Sequence, residues 1–194
     1  RSSILSQWHG DLNRDHRPVT VSISCTGQKN GHPVGGEIRV ARNGRTIWKQ
    51  PKLNPWKLLI ADVDGDGRRE IIAGVWKKSP KDPVMAKRVF VYSWNGKRML
   101  PKWLGSKLSR RFDDFTFCDI NRDGWDELFA LEIAPNGKHR IAAYRWNTFG
   151  FDWLGCSPET AGLTALTNVD GRACTTMCGR RHLINYKSGR ITIL

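Results

Sequence analysis

The sequence predicts an all-β chain folded as a β-propeller of about four four-stranded blades, and three regularities point to it. An acidic loop recurs about every 50 residues, a tight-turn signal follows each loop, and a tryptophan closes three of the four units. Short apolar strands flank both kinds of turn, so each unit is expected to form four antiparallel strands in succession. This period and strand count are typical of propeller blades, which bury their faces on one another.

The best-formed acidic loop is ADVDGDGRREI at 61–71. Its three aspartates alternate with small or apolar residues, and a glutamate follows four positions after the last of them. These carboxylates are Asp62, Asp64, Asp66 and Glu70. Alternate carboxylates on a tight loop converge, and Ca²⁺ prefers such a dense set of oxygen ligands. An EF-hand is excluded, because its twelfth position needs a glutamate and is Ala73 here. The alternative is a polar β-turn without a metal.

Three further loops share this register in part. CDINRDGWDEL at 118–128 keeps the whole set, with Asp119, Asn121, Asp123 and Glu127. GDLNRDHRPVTV at 10–21 has His16 where the glycine stands and Val19 where the glutamate stands, so we expect weak or no metal binding by Asp11, Asn13 and Asp15. LTNVDGRACT at 166–175 is two residues shorter and lacks the acid set, which predicts the same outcome.

A hairpin signal follows each loop: RNGR at 42–45, WNGK at 94–97, WNTFG at 146–150 and KSGR at 187–190. Asn43-Gly44 and Asn95-Gly96 predict two-residue turns, because both central residues of such turns need positive φ. The expected repeats are 1–50, 56–104, 113–155 and 162–194, within one domain at 1–194. A β-sandwich of many short strands is the competing fold, and the regular period favours a propeller, either compact or part of a larger one.

The two intact loops resemble the calcium loops of FG-GAP/VCBS repeats, which form the propellers of integrin α-chain heads and of many secreted bacterial proteins. The resemblance spans the chain through its period, but the motif is intact only twice and the Phe-Gly and Gly-Ala-Pro tags of one branch are absent. It implies calcium as the cofactor and an extracellular or cell-surface location, with any signal peptide removed or trimmed from this chain. The ligands it implies are the loop side chains named above, with the backbone carbonyls of Arg68 and Trp125.

Charge is concentrated in one stretch. The net charge is +14, and residues 77–111 hold eleven lysines and arginines against one acid, Asp82. This stretch predicts a surface for an acidic partner such as an anionic glycan, a wall polymer or phospholipid headgroups, with nucleic acid less favoured. The candidate ligand-binding residues are Lys77, Lys78, Lys81, Arg110 and Arg111. The alternative is a solvated face without a partner.

Catalytic and redox signatures are weak. Five cysteines form no CxxC pair, which predicts mainly buried free thiols, and one bridge between the two ends of the chain is the alternative. The scattered histidines do not predict a zinc site. His139 and His182 belong to no recognisable triad, and Asp113-Asp114 is the one carboxylate pair outside the loops, best explained as a turn at the start of a strand. No apolar run is long enough to predict a membrane span.

Three functions are compatible with this sequence. The favoured one is a calcium-stabilised extracellular binding or adhesion module, not an enzyme, for a glycan, an acidic polymer or a protein. The alternative is a polysaccharide lyase or another carbohydrate-active enzyme on a calcium-containing propeller, and the third is a purely structural domain. Trp56, Trp76 and Trp125 are candidates for stacking on sugar rings, although packing inside the fold is the favoured interpretation of these aromatics.

Overall fold

The computed structural model describes residues 3–106 and 108–194. These residues form eighteen β-strands and no helix, which confirms the all-β prediction. They divide into two compact units, the first comprising the described residues up to Ala61 with Gly67–Ser106, and the second comprising Asp62–Asp66 with the residues from 108 onward. The part of the chain that the structure describes holds no helix with the length and apolar character that a transmembrane span requires.

The first unit contains two four-stranded antiparallel sheets and a small hairpin. One sheet has the order β1-β2-β5-β6 and the other the order β10-β9-β8-β7. The strands of the first sheet and of the hairpin β3-β4 are β1 (Ser3–Gly10), β2 (Val19–Cys25), β3 (Gly27–Lys29), β4 (His32–Val34), β5 (Glu37–Arg42) and β6 (Arg45–Pro51). Those of the second sheet are β7 (Pro55–Ala61), β8 (Glu70–Ser79), β9 (Asp82–Trp94) and β10 (Met99–Leu104).

The core of the first unit lies on the inner strands. Val21 and Ile23 of β2 are fully buried and alternate with less buried neighbours, as expected of a strand with one face in the core. In β8 the run EIIAGV is buried throughout, and Ile71 packs in the same apolar cluster as β2. Truncating such a fully buried isoleucine to alanine removes about 2–5 kcal/mol of folding free energy.

The second unit is one eight-stranded sheet with the order β11-β12-β13-β14-β18-β17-β16-β15. It consists of two antiparallel groups that meet through a single parallel pairing, Cys156 with Arg190. The strands are β11 (Phe112–Cys118), β12 (Glu127–Ile133), β13 (His139–Asn147), β14 (Gly150–Cys156), β15 (Leu163–Val169), β16 (Arg172–Met177), β17 (Arg180–Lys187) and β18 (Arg190–Ile193). In chain order, the four-strand groups of the protein cover residues 3–51, 55–104, 112–156 and 163–193.

The eight-stranded sheet nearly closes on itself, because side chains join its two edge strands. The Asp114 carboxylate of β11 accepts the amide of Leu166 in β15 at 2.8 Å. The Asn168 side-chain amide of β15 donates to the Phe117 carbonyl of β11 at 2.9 Å. The enclosed core is apolar, with Phe129 and Leu131 of β12 fully buried in it. These side-chain bonds satisfy edge groups that would otherwise need water or another strand.

One predicted turn is confirmed and another is wrong. Asn43 and Gly44 both have positive φ, 49° and 74°, and form the two-residue turn between β5 and β6. The turn at Asn95-Gly96 is instead a four-residue loop, since β9 ends at Trp94 and β10 begins at Met99. The physical reason is the Asn95 side chain, whose oxygen accepts the backbone amides at 97 and 98 at 3.0 and 2.9 Å and so stabilises a wider turn.

All five cysteines are free thiols, as the sequence predicted. Cys25, Cys118 and Cys174 are buried, Cys156 is partly buried and Cys178 is exposed. Burial, together with the negative charge of Asp126, raises the pKa of the Cys118 thiol to about 11. Because the thiolate is the reactive form, Cys118 should be inert in the folded protein.

Thiol labelling tests this burial pattern. In the native protein near neutral pH, we expect N-ethylmaleimide to modify Cys178 first and to leave Cys25, Cys118 and Cys174 unmodified until the chain unfolds. Peptide mass spectrometry with and without denaturant measures the order, and the Cys178→Ser variant is the control for the fast site. Modification of Cys118 in the native protein as rapid as that of Cys178 would contradict the described core.

Candidate metal centre and the acidic loops

Three of the acidic loops have the same backbone shape. In each, the fourth and sixth residues have positive φ: Arg14 and His16, Gly65 and Gly67, Arg122 and Gly124. Gly65 is also required by space, because an added Cβ would lie 1.9 Å from the indole nitrogen of Trp125. At position 16, where glycine would be unstrained, the histidine adopts φ 59° at a cost of about 1–2 kcal/mol. The fourth loop is instead a short turn through Asp170 and Gly171.

The first aspartate of a loop holds that loop together by accepting backbone amides. Asp11 accepts the amides of Asn13 and His16 at 3.0 and 2.7 Å. Asp119 accepts those of Asp123 and Gly124 at 3.0 and 2.9 Å. Partial burial acts to raise the pKa of Asp11, but these amide hydrogen bonds outweigh it and the pKa is lowered. Part of the acidic pattern therefore serves the turn itself.

The loop between β7 and β8 brings three carboxylates together. Asp62, Asp64 and Glu70 each offer an oxygen, and these oxygens all lie within 4.8 Å of one another. Glu70 is only 3% exposed, while the two aspartates are partly buried. Each pair of charges at this distance repels by on the order of 3 kcal/mol at an effective dielectric constant near 20. The loop consequently needs positive charge among these oxygens.

Lys102 supplies part of that charge. Its ammonium group, carried by β10, lies 2.8 Å from a carboxylate oxygen of Glu70, and both side chains are largely buried. Together, the three carboxylates and the ammonium group of Lys102 carry a formal charge of −2. The other two residues predicted for this centre, Asp66 and Arg68, are exposed. Asp66 lies outside the carboxylate cluster. Only the backbone carbonyl of Arg68 was predicted as a ligand.

In the loop between β11 and β12, an arginine lies where the sequence predicts a metal. The Arg145 guanidinium of β13 forms an ion pair with Asp123 and lies 3.4 Å from Glu127. It also stacks over the ring of Trp125 at 4.6 Å. The Asn121 side-chain amide donates a hydrogen bond to the Asp123 carboxylate at 2.9 Å. A metal in this loop would have to share these carboxylates with Arg145 or displace it.

Glu127 is the buried end of this second loop, with 1% exposure. Burial raises its pKa to about 7, although the amide of Ile120 at 3.2 Å and the charge of Arg145 act to lower it. The loop at 10–21 has no such residue, because Val19 is a buried core side chain there. Its Asp15 is exposed and accepts the amide of Arg17 at 3.0 Å. Among the described residues, only the β7–β8 loop forms a cluster of three carboxylates. The second loop does not form one, and neither does the loop with Asp11, Asn13 and Asp15.

Sequence reasoning missed the contacts of three residues at these loops: Lys102 and Arg145, which lie on strands, and Asp126, which lies inside the second loop. The Asp126 carboxylate accepts the Asp62 amide, and the Asp126 amide donates to the Asp62 carbonyl, both at 2.8 Å. Burial raises the pKa of Asp126, and the negative charges of Asp119 and Asp62 add to the rise. All three contacts join positions far apart in the chain, and no local motif marks the partners.

The predicted basic residues fall into two groups. Lys77 and Lys78 lie near the end of β8 and Lys81 follows that strand in the turn, all in the first unit. Arg110 and Arg111 precede β11 in the second unit, and Arg110 pairs with Glu159 at 2.8 Å. The hydrogen bond from Arg110 lowers the pKa of the Glu159 carboxyl group. The continuous basic stretch of the sequence is therefore divided between two units.

The remaining candidates make contacts within the chain. Asp113 and Asp114 do not act as a pair, since Asp113 lies 2.8 Å from the His139 ring and Asp114 accepts the amide of Leu166. The three tryptophans considered for sugar stacking all have ring contacts within the chain. Trp76 stacks on His32 at 3.5 Å, Trp56 lies under the Lys87 ammonium at 5.1 Å, and Trp125 lies under Arg145.

No model of a known protein family matches this chain, and a search of curated proteins finds no match.

Replacing Arg145 tests its role in the second loop. We expect Arg145→Gln to lower the free energy of unfolding by about 1–3 kcal/mol, because Glu127 and Asp123 lose their charged partner. Urea denaturation without divalent cations measures the change. Arg180→Gln, which removes an exposed arginine of the same unit, is the matched control and should change stability by less than about 0.5 kcal/mol. Equal stability of the two variants would show that Arg145 does not stabilise the loop.

Proposed function

We propose that this protein is a calcium-stabilised extracellular binding or adhesion module. In this proposal, four FG-GAP/VCBS-like blades form a propeller that presents its loops to a glycan, an acidic polymer or a protein. The observation that carries the proposal is the cluster of Asp62, Asp64 and Glu70, whose oxygens lie within 4.8 Å of one another. Three carboxylates this close together repel one another, and oxygen ligands of this kind suit a hard divalent cation.

The donor set favours calcium over other metals. All three side chains are carboxylates, and hard oxygen ligands suit Ca²⁺ and Mg²⁺, whereas zinc and copper sites usually include histidine or cysteine. Mg²⁺ demands near-ideal octahedral geometry and usually keeps several waters. Ca²⁺ accepts roughly six to eight oxygen ligands in flexible geometry. Waters and backbone carbonyls such as that of Arg68 can therefore complete its coordination shell.

The ion's proposed role is structural. It would tie Asp62 and Asp64 to Glu70 at the first residue of β8, and so fix the turn that positions the buried strand. Binding of the ion to the folded loop alone stabilises the fold by linkage, since the carboxylates are scattered in the unfolded chain. Extracellular calcium modules work at dissociation constants of about 10⁻⁴–10⁻³ M, which a partly buried loop with three carboxylates can reach.

The propeller arrangement is supported by strand order within each four-strand group. In three of the groups, the strands pair in chain order, and in the group 3–51 only the hairpin β3-β4 interrupts that order. An acidic loop joins the first two strands of each of the first three groups. Antiparallel four-stranded units of this kind are the building block of propellers. The net charge of +14 supports an acidic partner.

Thermal unfolding tests the calcium proposal. At a calcium concentration about 100-fold above Kd, linkage adds about 2.7 kcal/mol, so we expect Tm to rise by roughly 5–10 °C and EDTA to reverse the rise. Asp64→Asn removes one ligand charge and should abolish most of the calcium-dependent shift. The matched control is Asp152→Asn, which neutralises an exposed aspartate of β14 and should keep the full shift.

Two results would contradict the proposal. One is a Tm of the unaltered chain that does not change between EDTA and a calcium concentration of about 100 mM, which is at least about 100-fold above the expected Kd. The other is a calcium shift that Asp64→Asn and Asp152→Asn retain equally, because the ion would then bind elsewhere. A magnesium arm separates calcium preference from a general effect of ionic strength, which should move Tm equally for both cations.

A further inference from the structure

The hairpin formed by β8 and β9 ends in a bulge. Lys77 pairs with Ala86 and Ser79 pairs with Asp82, so the single residue Lys78 faces three residues, 83–85, on the other strand. Bulges of this kind re-aim side chains that a regular strand would place on its two faces. Here the bulge lies close to the tip of the hairpin.

A buried arginine holds this bulge in place. Arg88 is 3% exposed, and its guanidinium donates to the Asp82 carboxylate at 2.8 Å and to the Val84 carbonyl at 2.9 Å. A further contact reaches the Lys77 carbonyl at 3.4 Å. A buried guanidinium is costly unless its donors are satisfied, and the bulge backbone satisfies them here. These hydrogen bonds therefore fix the conformation of the bulge.

The bulge displays two apolar side chains among lysines. Val84 is 55% exposed and Met85 is 41% exposed. Lys78 and Lys81 are exposed beside them, and the carboxylate of Asp82, the only acid of residues 77–88, is engaged by Arg88. We call residues 77–87 the hairpin tip. The tip thus combines net positive charge with exposed apolar surface.

We propose that the hairpin tip docks the protein on an anionic lipid bilayer surface. Lysines at such a surface are attracted by acidic headgroups, and each one raises the partition coefficient roughly fivefold. Val84 and Met85 would enter the boundary between headgroups and acyl chains, as apolar residues of interfacial segments do. The proposal rests on the proposed function only in that the chain is a binding module, and it names the partner.

The apolar pair favours a bilayer over a soluble acidic polymer. A sulfated or phosphorylated polymer is attracted by the lysines alone and offers no apolar layer for Val84 and Met85. The two apolar side chains that the bulge exposes would therefore add no binding free energy for such a polymer. A bilayer uses both parts of the tip, since headgroups meet the lysines and the acyl boundary meets the apolar pair.

Vesicle co-sedimentation of the whole chain tests this inference. We expect binding to phosphatidylcholine vesicles that contain phosphatidylserine and at least tenfold weaker binding to pure phosphatidylcholine. Lys78→Glu with Lys81→Glu should lower the partition coefficient at least about 25-fold. Lys138→Glu with Lys187→Glu, an equal charge change at two exposed lysines, is the matched control and should have a smaller effect. Val84→Ser with Met85→Ser should lower vesicle binding by roughly tenfold.

A heparin column provides the discriminating arm, because heparin carries sulfates without an apolar layer. The serine double variant should elute at the same salt concentration as the unaltered chain, while the glutamate variant elutes earlier. Vesicle binding that does not need phosphatidylserine, or that the serine variant retains in full, would overturn the bilayer proposal. Runs in EDTA and in calcium keep the two proposals separable: the bound fraction reports on the tip, and the calcium-dependent Tm reports on the metal loop.

Discussion

The fold depends on neutralising carboxylates that its turns bring together. The carboxylate oxygens of Asp62, Asp64 and Glu70 lie within 4.8 Å of one another in the loop between β7 and the buried strand β8. Their mutual repulsion is of the same order as a large fraction of a domain's net stability. Lys102 pairs with Glu70, and in the calcium proposal a divalent cation would bind among the three carboxylates. The position of β8, whose residues pack in the core of the first unit, rests on this balance.

Two loops with the same acidic register satisfy this constraint differently. In the loop between β11 and β12, the guanidinium of Arg145 pairs with Asp123 and Glu127 and stacks on Trp125. The protein's own side chain thus provides there the charge that the β7–β8 loop would take from an ion. Calcium at Asp119, Asn121, Asp123 and Glu127 stays a prediction from the sequence, and it competes with a cation already in place.

The sequence was informative wherever the cause was local. Short apolar runs beside the turn signals predicted the strands, and Asn43-Gly44 predicted its turn because both residues must have positive φ. The prediction failed at Asn95, whose side chain captures two amides and widens the loop. It also could not find Lys102 or Arg145, because strand pairing, not spacing, brings them to the acidic loops. The bulge that Arg88 holds is hidden for the same reason.

The most direct test of this account is an anomalous difference map from crystals grown with calcium and then soaked with terbium. The central claim is a cation site at the cluster between β7 and β8. We expect the strongest peak among the oxygens of Asp62, Asp64 and Glu70, with Arg145 still paired to Asp123. The absence of a peak at that cluster, or a stronger peak in the 119–127 loop with Arg145 displaced, would contradict the account.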